Sequence, residues 1–163
     1  MIQYTTLGQL LVLLLAANGA PIIARNLLGT RGNWPVDFGC VFVDGRRLLG
    51  TSKTIRGVLA AICATGVVAL FLGDPFSIGA LFGLYTMIGD LVASFCKRRL
   101  GLQSSESALG LDQSLEALCP VLLLRRYWSL HLADIVAVVI AFFVLEIVVS
   151  RVLYKLRIRQ RAL

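Results

Sequence analysis

Charge is scarce in this chain: 15% of its 163 residues are Asp, Glu, Lys or Arg, and 58% are hydrophobic. Ordinary globular domains are about 25% charged and about 45–50% apolar, so a water-soluble domain of this size would struggle to cover itself. Cysteine is also sparse and badly spaced for chemistry. Cys40, Cys63, Cys96 and Cys119 form no CxxC pair and suggest no disulfide framework, and three of them sit in or beside apolar runs as small hydrophobes. The one histidine, His131, falls at a membrane boundary. No Walker A loop is present, because the glycine spacing of GxxxxGK[ST] is missing. No basic segment precedes the first apolar run and no small-residue cleavage signal follows it, which argues against a signal peptide.

What the chain does have is apolar length. Five runs, Leu7–Ile23, Val58–Leu72, Ser77–Cys96, Ser114–Leu124 and Leu132–Val149, read as membrane helices. A bilayer needs roughly 20 apolar residues per helix, so Ser114–Leu124 is short and leans on Tyr127 and Trp128 at its end. The expectation is a single all-α integral membrane domain over residues 1–163 with about five transmembrane helices. Arg25–Thr54 and Lys97–Gln113 are two large polar loops, and Cys40–Val43 followed by Asp44-Gly45 suggests a small hairpin. With the N-terminus outside, every Lys and Arg except Arg125 and Arg126 lies on one side of the membrane. The positive-inside rule makes that side, with both loops and the C-terminal tail from Arg151 to Arg161, cytoplasmic. Localisation in the cell membrane as a multi-pass protein follows. Small residues such as Ala60, Ala61, Ala64 and Gly66 pack helices within one chain or between chains, so a homo-oligomer fits equally well.

The net charge of +7 suits anionic lipid headgroups or phosphorylated ligands. Nucleic acid is the weaker partner, since the basic residues flank hydrophobic spans and no nucleic-acid motif accompanies them. The polar residues that do occur are concentrated. Asp90 lies inside the third apolar run, where a carboxylate is costly and usually faces a bundle interior or a wet cavity. That run ends in Lys97-Arg98-Arg99, which read alone is first a topology signal. Ahead of the second run stands Gly50-Thr51-Ser52-Lys53-Thr54-Ile55-Arg56-Gly57. Helix-start amides attract anions, Ser52 and Thr54 donate hydroxyl hydrogen bonds, and Lys53 and Arg56 add full charges, so this stretch suits phosphate. Asp112 opens the fourth run. Asp90 and Asp112 form a candidate pair of hard oxygen ligands for Mg²⁺, with Glu116 a further candidate one turn on. Asn18-Gly19-Ala20-Pro21 interrupts the first run, either as a kink or as the polar lining of a cavity. On the proposed topology these clusters reach one membrane face.

Several of these motifs, in this order, resemble the CDP-archaeol synthase family, a relative of the bacterial CDP-diacylglycerol synthases. They are Gly50–Gly57, then Gly89-Asp90 through Lys97-Arg98-Arg99-Leu100-Gly101, then Gly110-Leu111-Asp112-Gln113, with Asn18–Pro21 similar to the first-helix motif. The resemblance covers nearly the whole chain. It implies a small multi-helix membrane fold and a CTP- and Mg²⁺-dependent cytidylyltransferase. The substrate implied is a lipid glycerol phosphate, the unsaturated digeranylgeranylglyceryl phosphate in archaeal members, and the products are a CDP-lipid and pyrophosphate. By motif match Lys53 and Arg56 bind phosphate, Asp90 and Asp112 serve the metal, Lys97 and Arg98 contact substrate phosphate, and Asn18 lines the same pocket. One departure stands out: members often carry an aspartate where this chain has Leu115. Glu116 is adjacent, but neighbouring helix positions point about 100° apart. Two other readings stay open, a phosphatidate-using CDP-diacylglycerol synthase and a non-catalytic transport or structural protein with a divergent pocket.

Overall fold

A computed structural model describes residues 4–102 and 110–155. The polar stretch 103–109, with Glu106, and the tail arginines Arg157, Arg159 and Arg161 lie outside the described residues. Five α-helices account for most of the rest: α1 (Tyr4–Leu28), α2 (Ile55–Phe71), α3 (Phe76–Arg99), α4 (Leu111–Leu123) and α5 (Leu132–Lys155). Three of them, α1, α3 and Leu132–Val149 of α5, are long and apolar enough to cross a membrane. With 13 residues, α4 is roughly 20 Å long, well short of a hydrocarbon core of about 30 Å. It also begins earlier than its hydrophobicity suggests, because Gly110 rather than Asp112 is its N-cap and Asp112 falls in its first turn.

The helices are sorted by what faces outward. On α5, Val136, Ile140, Val144 and Val148 recur every fourth residue and are exposed, while Ile135, Val138 and Phe142 are buried. A stripe of large exposed aliphatics would be unfavourable in water and suits acyl chains. The interior is built on Leu10, Leu13 and Leu14 of α1, Phe82 of α3, Val121 of α4 and Phe142 of α5. The first helix is continuous through Pro21, so the Asn18–Pro21 sequence does not break it. Pro21 instead packs against the first turn of α2, where a β-carbon on Gly57 would lie 3.4 Å from its ring.

Small residues set the helix spacing in the middle of the bundle. The Gly73-Asp74-Pro75 turn folds α3 back on α2, and at Gly83 a β-carbon would collide with Thr65 Oγ1 and crowd the carbonyl oxygen of Ala61, which lies 2.9 Å away. Thr65 and Thr86 are buried but satisfy their hydroxyls on the carbonyls of Ala61 and Phe82, one turn back. The tightest approach is at Gly89, where a β-carbon would overlap the backbone carbonyl of Leu115 and lie 3.1 Å from the Cα of Glu116. Glycine at this position lets α4 lie directly on α3, one residue before Asp90.

Because the obstacle at Gly89 is backbone and not a flexible side chain, Gly89→Ala is expected to cost about 2–3 kcal/mol through overpacking. The check is thermal unfolding in detergent. An unchanged midpoint would mean that α3 and α4 are not held at this distance.

Candidate active site

The polar loop between α1 and α2 is organised by one buried carboxylate. Asp37 Oδ1 accepts from the Gly39 amide at 3.1 Å and the Arg47 guanidinium at 2.9 Å. Its Oδ2 accepts from the amides of Leu49 and Gly50, at 3.1 and 3.0 Å. Burial alone would raise the Asp37 pKa, but these amide bonds and Arg47 outweigh it and hold the carboxyl below its ordinary value of 3.8. The expected hairpin is present in reduced form, as a bridge between Val41 and Arg47 closed by the Phe42–Arg46 hydrogen bond. Two further pairings, Val36 with Lys53 and Ile55 with Trp34, tie the start of the loop to its end. The loop therefore delivers Ser52, Lys53 and Thr54 in a fixed order to the start of α2. There Thr54 is the N-cap, its hydroxyl accepting from the Gly57 amide at 3.3 Å.

The loop is also clamped to the end of α3. Arg46 donates to the carbonyls of Arg98 and Arg99, at 3.2 and 2.9 Å, two acceptors left over by the helix terminus. Arg99 returns the contact, pairing with Asp44 at 2.8 Å and donating to the Arg47 carbonyl at 2.7 Å. Its guanidinium lies over the rings of Phe42 and Phe95. The three consecutive cations thus have separate positions. Arg99 clamps the loop, Lys97 pairs with Asp112 at 2.8 Å, and Arg98 is 7% exposed.

Between this loop and the bundle lies a cavity of about 400 Å³. Its polar wall includes Asn18, Ser52, Lys53, Arg56, Asp90 and Glu116, and Thr54 also lines it. Its apolar wall includes Leu15, Met87, Leu91 and Phe142. At its centre Lys53 Nζ donates to both oxygens of Asp90, at 2.5 and 2.6 Å. Burial works to lower the Lys53 pKa, but Asp90, with Glu116 and Asp112 adding to it, holds it above the ordinary 10.5. These carboxylates favour the charged ammonium, which suits Lys53 to act as a positive charge in the cavity. Glu116 stands within hydrogen-bonding range of Asp90, with Glu146 nearby.

Seven of the ten residues expected at the site line this cavity, and Asp112, Lys97 and Arg98 do not. Asn18 lines it, and its Nδ2 is buried with no partner among the described residues. That orphan donor favours the cavity-lining reading of the first-helix motif over a kink. Arg56 also lines it, while donating to the carbonyls of Gly29 and Arg31 and to Asn33 Oδ1, at 2.7, 2.6 and 3.1 Å. Asp112 and Lys97 form a second ion pair outside the cavity wall, with Asp112 Oδ1 buried and unpartnered among the described residues. No group of three or more His, Cys, Asp or Glu side chains among the described residues is arranged as a complete metal shell. The oxygen donors of Asp90, Asp112 and Glu116, one of them orphaned, still fit a hard cation that takes its remaining ligands from substrate phosphates and water.

Four contributors escaped the sequence reading. Ser94, one turn after Asp90 on α3, has a buried hydroxyl without a partner among the described residues, and its i+4 spacing was the available signal. Glu146 resembles an ordinary late-span carboxylate until α5 is packed against α1. Arg46 and Arg47 look like routine flanking charge. On α1, α3 and α5 the apolar interior lies toward the end remote from the cavity: Leu10–Leu14 before Asn18, Phe82 before Asp90, and Ile135 and Val138 before Glu146, with Phe142 reaching the cavity wall. The cavity is therefore closed off from one side of the bundle.

A cavity in which Arg25, Lys53 and Arg56 face Asp90, Glu116 and Glu146, at one end of an apolar helical bundle, marks a membrane-embedded enzyme. The model of the family described as CDP-archaeol synthase (CarS-like) matches residues 4–75 and 70–162. The CDP-archaeol synthase of Sulfurisphaera tokodaii is 38% identical over 151 residues, covering 89% of this chain and 87% of that one. That of Saccharolobus solfataricus is 42% identical over 120 residues, covering 69% and 68%. A solved structure of an intramembrane enzyme for archaeal membrane lipid biosynthesis superposes with a TM-score of 0.69 at 30% identity, covering 85% of this chain and 90% of that one. The chain belongs to the CDP-archaeol synthase family, and with it to the CTP-dependent nucleotidyltransferases, as a multi-pass membrane protein.

The Asp37 anchor makes a pH prediction. A carboxyl whose folded pKa is depressed stabilises the fold above its unfolded pKa and loses that contribution as pH falls through the folded value. The amides of Leu49 and Gly50 should thus stay protected from hydrogen exchange at pH 5 and open below 3.8. In Asp37→Asn they should be open already at neutral pH, by about 3 kcal/mol. Equal protection in both proteins at neutral pH would rule out the anchor.

Proposed function

We propose that this chain transfers the cytidylyl group of CTP to the phosphate of a membrane glycerol-phosphate lipid, releasing pyrophosphate and leaving a CDP-lipid of the CDP-archaeol type. The observation that carries the reading is the Lys53–Asp90 pair inside a cavity with one polar and one apolar wall. A lipid phosphate and a nucleotide differ in just that respect, one bringing acyl or isoprenoid tails and the other three phosphates. The apolar wall of Leu15, Met87, Leu91 and Phe142 suits the start of the tails. Lys53, Arg56 and the hydroxyls of Ser52 and Thr54 suit the phosphates, and Asn18 has a buried donor to offer an oxygen. Lys97 and Arg98, at the end of α3, lie outside this cavity, and their contact with substrate phosphate is part of the proposal.

No protein nucleophile is required, because an oxygen of the lipid phosphate attacks the α-phosphorus directly. Work done by the chain is then positioning and charge neutralisation. Mg²⁺ would be the cofactor: Asp90 and Asp112, with Glu116, would hold it together with substrate phosphates, and it would supply neutralisation of the charge developing on the phosphate oxygens. Lys53 orients Asp90 and is the first cation a phosphate meets. With the N-terminus outside, the cavity would open at the cytoplasmic surface, where CTP is available. The sequence asymmetry of Lys and Arg supports that orientation.

Purified protein in detergent, given labelled CTP, Mg²⁺ and a panel of ether- and ester-linked lipid phosphates, should yield a labelled CDP-lipid. Asp90→Asn and Asp112→Asn should each lower the rate by about 10²-fold or more. A folded protein that labels no lipid across the panel would refute the assignment. The panel also separates an ether-lipid enzyme from one acting on phosphatidate. In the same assay Leu115→Asp tests the family departure: a faster Leu115→Asp enzyme means the missing carboxylate limits this chain, and an unchanged or slower one means it does not.

A further inference from the structure

On α3, Ile88, Val92, Phe95 and Arg99 follow one another at i, i+4, i+7 and i+11, which puts them on one face of the helix. Ile88 and Val92 are exposed large aliphatics on a helix long and apolar enough to cross a membrane, so this face is turned to lipid. The loop between α1 and α2 docks on the same face near the C-terminal end of α3. Phe42 stands edge-on to Phe95 with ring centroids 5.4 Å apart, and the Arg99 guanidinium covers both rings, at 4.8 and 4.9 Å. The docked piece is the small hairpin closed by the Val41–Arg47 bridge. In it the Phe42 amide donates to the Arg46 carbonyl, the Leu48 amide to the Cys40 carbonyl and the Gly45 amide to the Phe42 carbonyl. The Arg46 amide donates to Asp44 Oδ1. The hairpin is therefore held by its own backbone, without help from the side chains at its tip. Yet the residues on either side of Phe42 are valines left in the open, Val41 61% and Val43 93% exposed. Polar residues are the usual choice for a turn surrounded by water. Arg46, close by, is exposed and bonds the neutral carbonyls of Arg98 and Arg99, so a cation stands beside the apolar tip.

We propose that this hairpin is an interfacial anchor: Val41 and Val43 enter the boundary between headgroups and acyl chains in the leaflet where α3 ends, and Arg46 lies among the headgroups. The bilayer is the occupant of this surface on two grounds. The first is continuity, since Phe42 prolongs the lipid-facing row of Ile88, Val92 and Phe95 toward the end of the span. The second is charge complementarity. Apolar tip residues with a guanidinium beside them suit the interface, the valines toward the chains and the cation toward phosphate oxygens. Asp44, the one carboxylate in the hairpin, is already paired with Arg99 and presents no uncompensated charge to an anionic surface. The loop that delivers Lys53 is then fastened from two sides, to the end of α3 by Arg46 and Arg99 and to the leaflet by its valines. This placement uses the membrane fold alone and stands whether or not the cytidylyl-transfer reading does.

Tryptophan fluorescence reads the tip in the full chain, reconstituted in nanodiscs of phosphatidylcholine and phosphatidylglycerol. Trp34→Phe, at an exposed position, serves as the parent and leaves Trp128 as a constant background. Val43→Trp is then added, in discs whose lipids are brominated either just below the headgroup or near the chain ends. An interfacial residue lies about 5–10 Å into the boundary, so the added fluorescence should fall roughly twofold or more with the shallow bromines and less with the deep ones. Iodide in the buffer should quench it far less than it quenches free tryptophan amide. With Val41→Trp as the reporter instead, adding Val43→Asp should abolish the shallow quenching. Absence of bromine quenching, with iodide access equal to that of the free amide, would put the tip in water and overturn the proposal. Shielding from iodide without bromine quenching would overturn it too and give the surface to protein, a second copy of this chain if the shielding vanishes at one chain per disc. Bromine quenching of Val41→Trp that survives Val43→Asp would likewise defeat the anchoring role of the tip. If Val43→Trp does not fold, Val41→Trp alone is read against the same outcomes.

Discussion

A carboxylate partway along a hydrophobic helix must be neutralised, and the architecture follows from how Asp90 is neutralised. Its partner, Lys53, comes from a loop and not from another span. For that loop to hold an ammonium within hydrogen-bonding distance of α3, its backbone must be rigid, and Asp37 makes it so by collecting three amides and a guanidinium. It must also be docked, and Arg46 and Arg99 do that by exchanging contacts across the end of α3. Gly89 then lets α4 approach closely enough to bring Glu116 beside the pair. Each feature is local in sequence, and together they place one ion pair.

The same dependence explains why the cations of the third helix end differ in role although they are consecutive. A helix end exposes carbonyls and turns successive side chains through about 100° each. Lys97, Arg98 and Arg99 therefore face three surroundings: a carboxylate on α4, a space shared with Arg46 and Arg47 of the loop, and the aromatic pair Phe42 and Phe95. Reading the run as one basic patch hides this division, and substituting it as a block would confuse loop docking with ligand binding.

Much of the fold was legible because membrane helices announce themselves by length and composition. Asp90, Lys53 and Asn18 were legible too, since polar groups stand out against an apolar background. Boundaries were harder: α1 runs on through Pro21, and α4 starts at Leu111, capped by Gly110, although hydrophobicity rises only later. The ion pairs could not be read, because Lys97 with Asp112 and Lys53 with Asp90 depend on which loop meets which helix end. Ser94 could have been found by its helical spacing. Glu146, Arg46 and Arg47 could not, since nothing in their neighbours distinguishes them from late-span or flanking charge.

An acidic group lodged partway through a bilayer is also a stepping stone for protons, and a membrane that stores energy as a proton gradient cannot tolerate such a stone next to a wet channel. Here both oxygens of Asp90 are tied to the Lys53 ammonium, and beyond them the bundle is filled by the fully buried Leu10, Leu13, Leu14 and Phe82, an arrangement that makes the cavity a dead end for protons and not a passage.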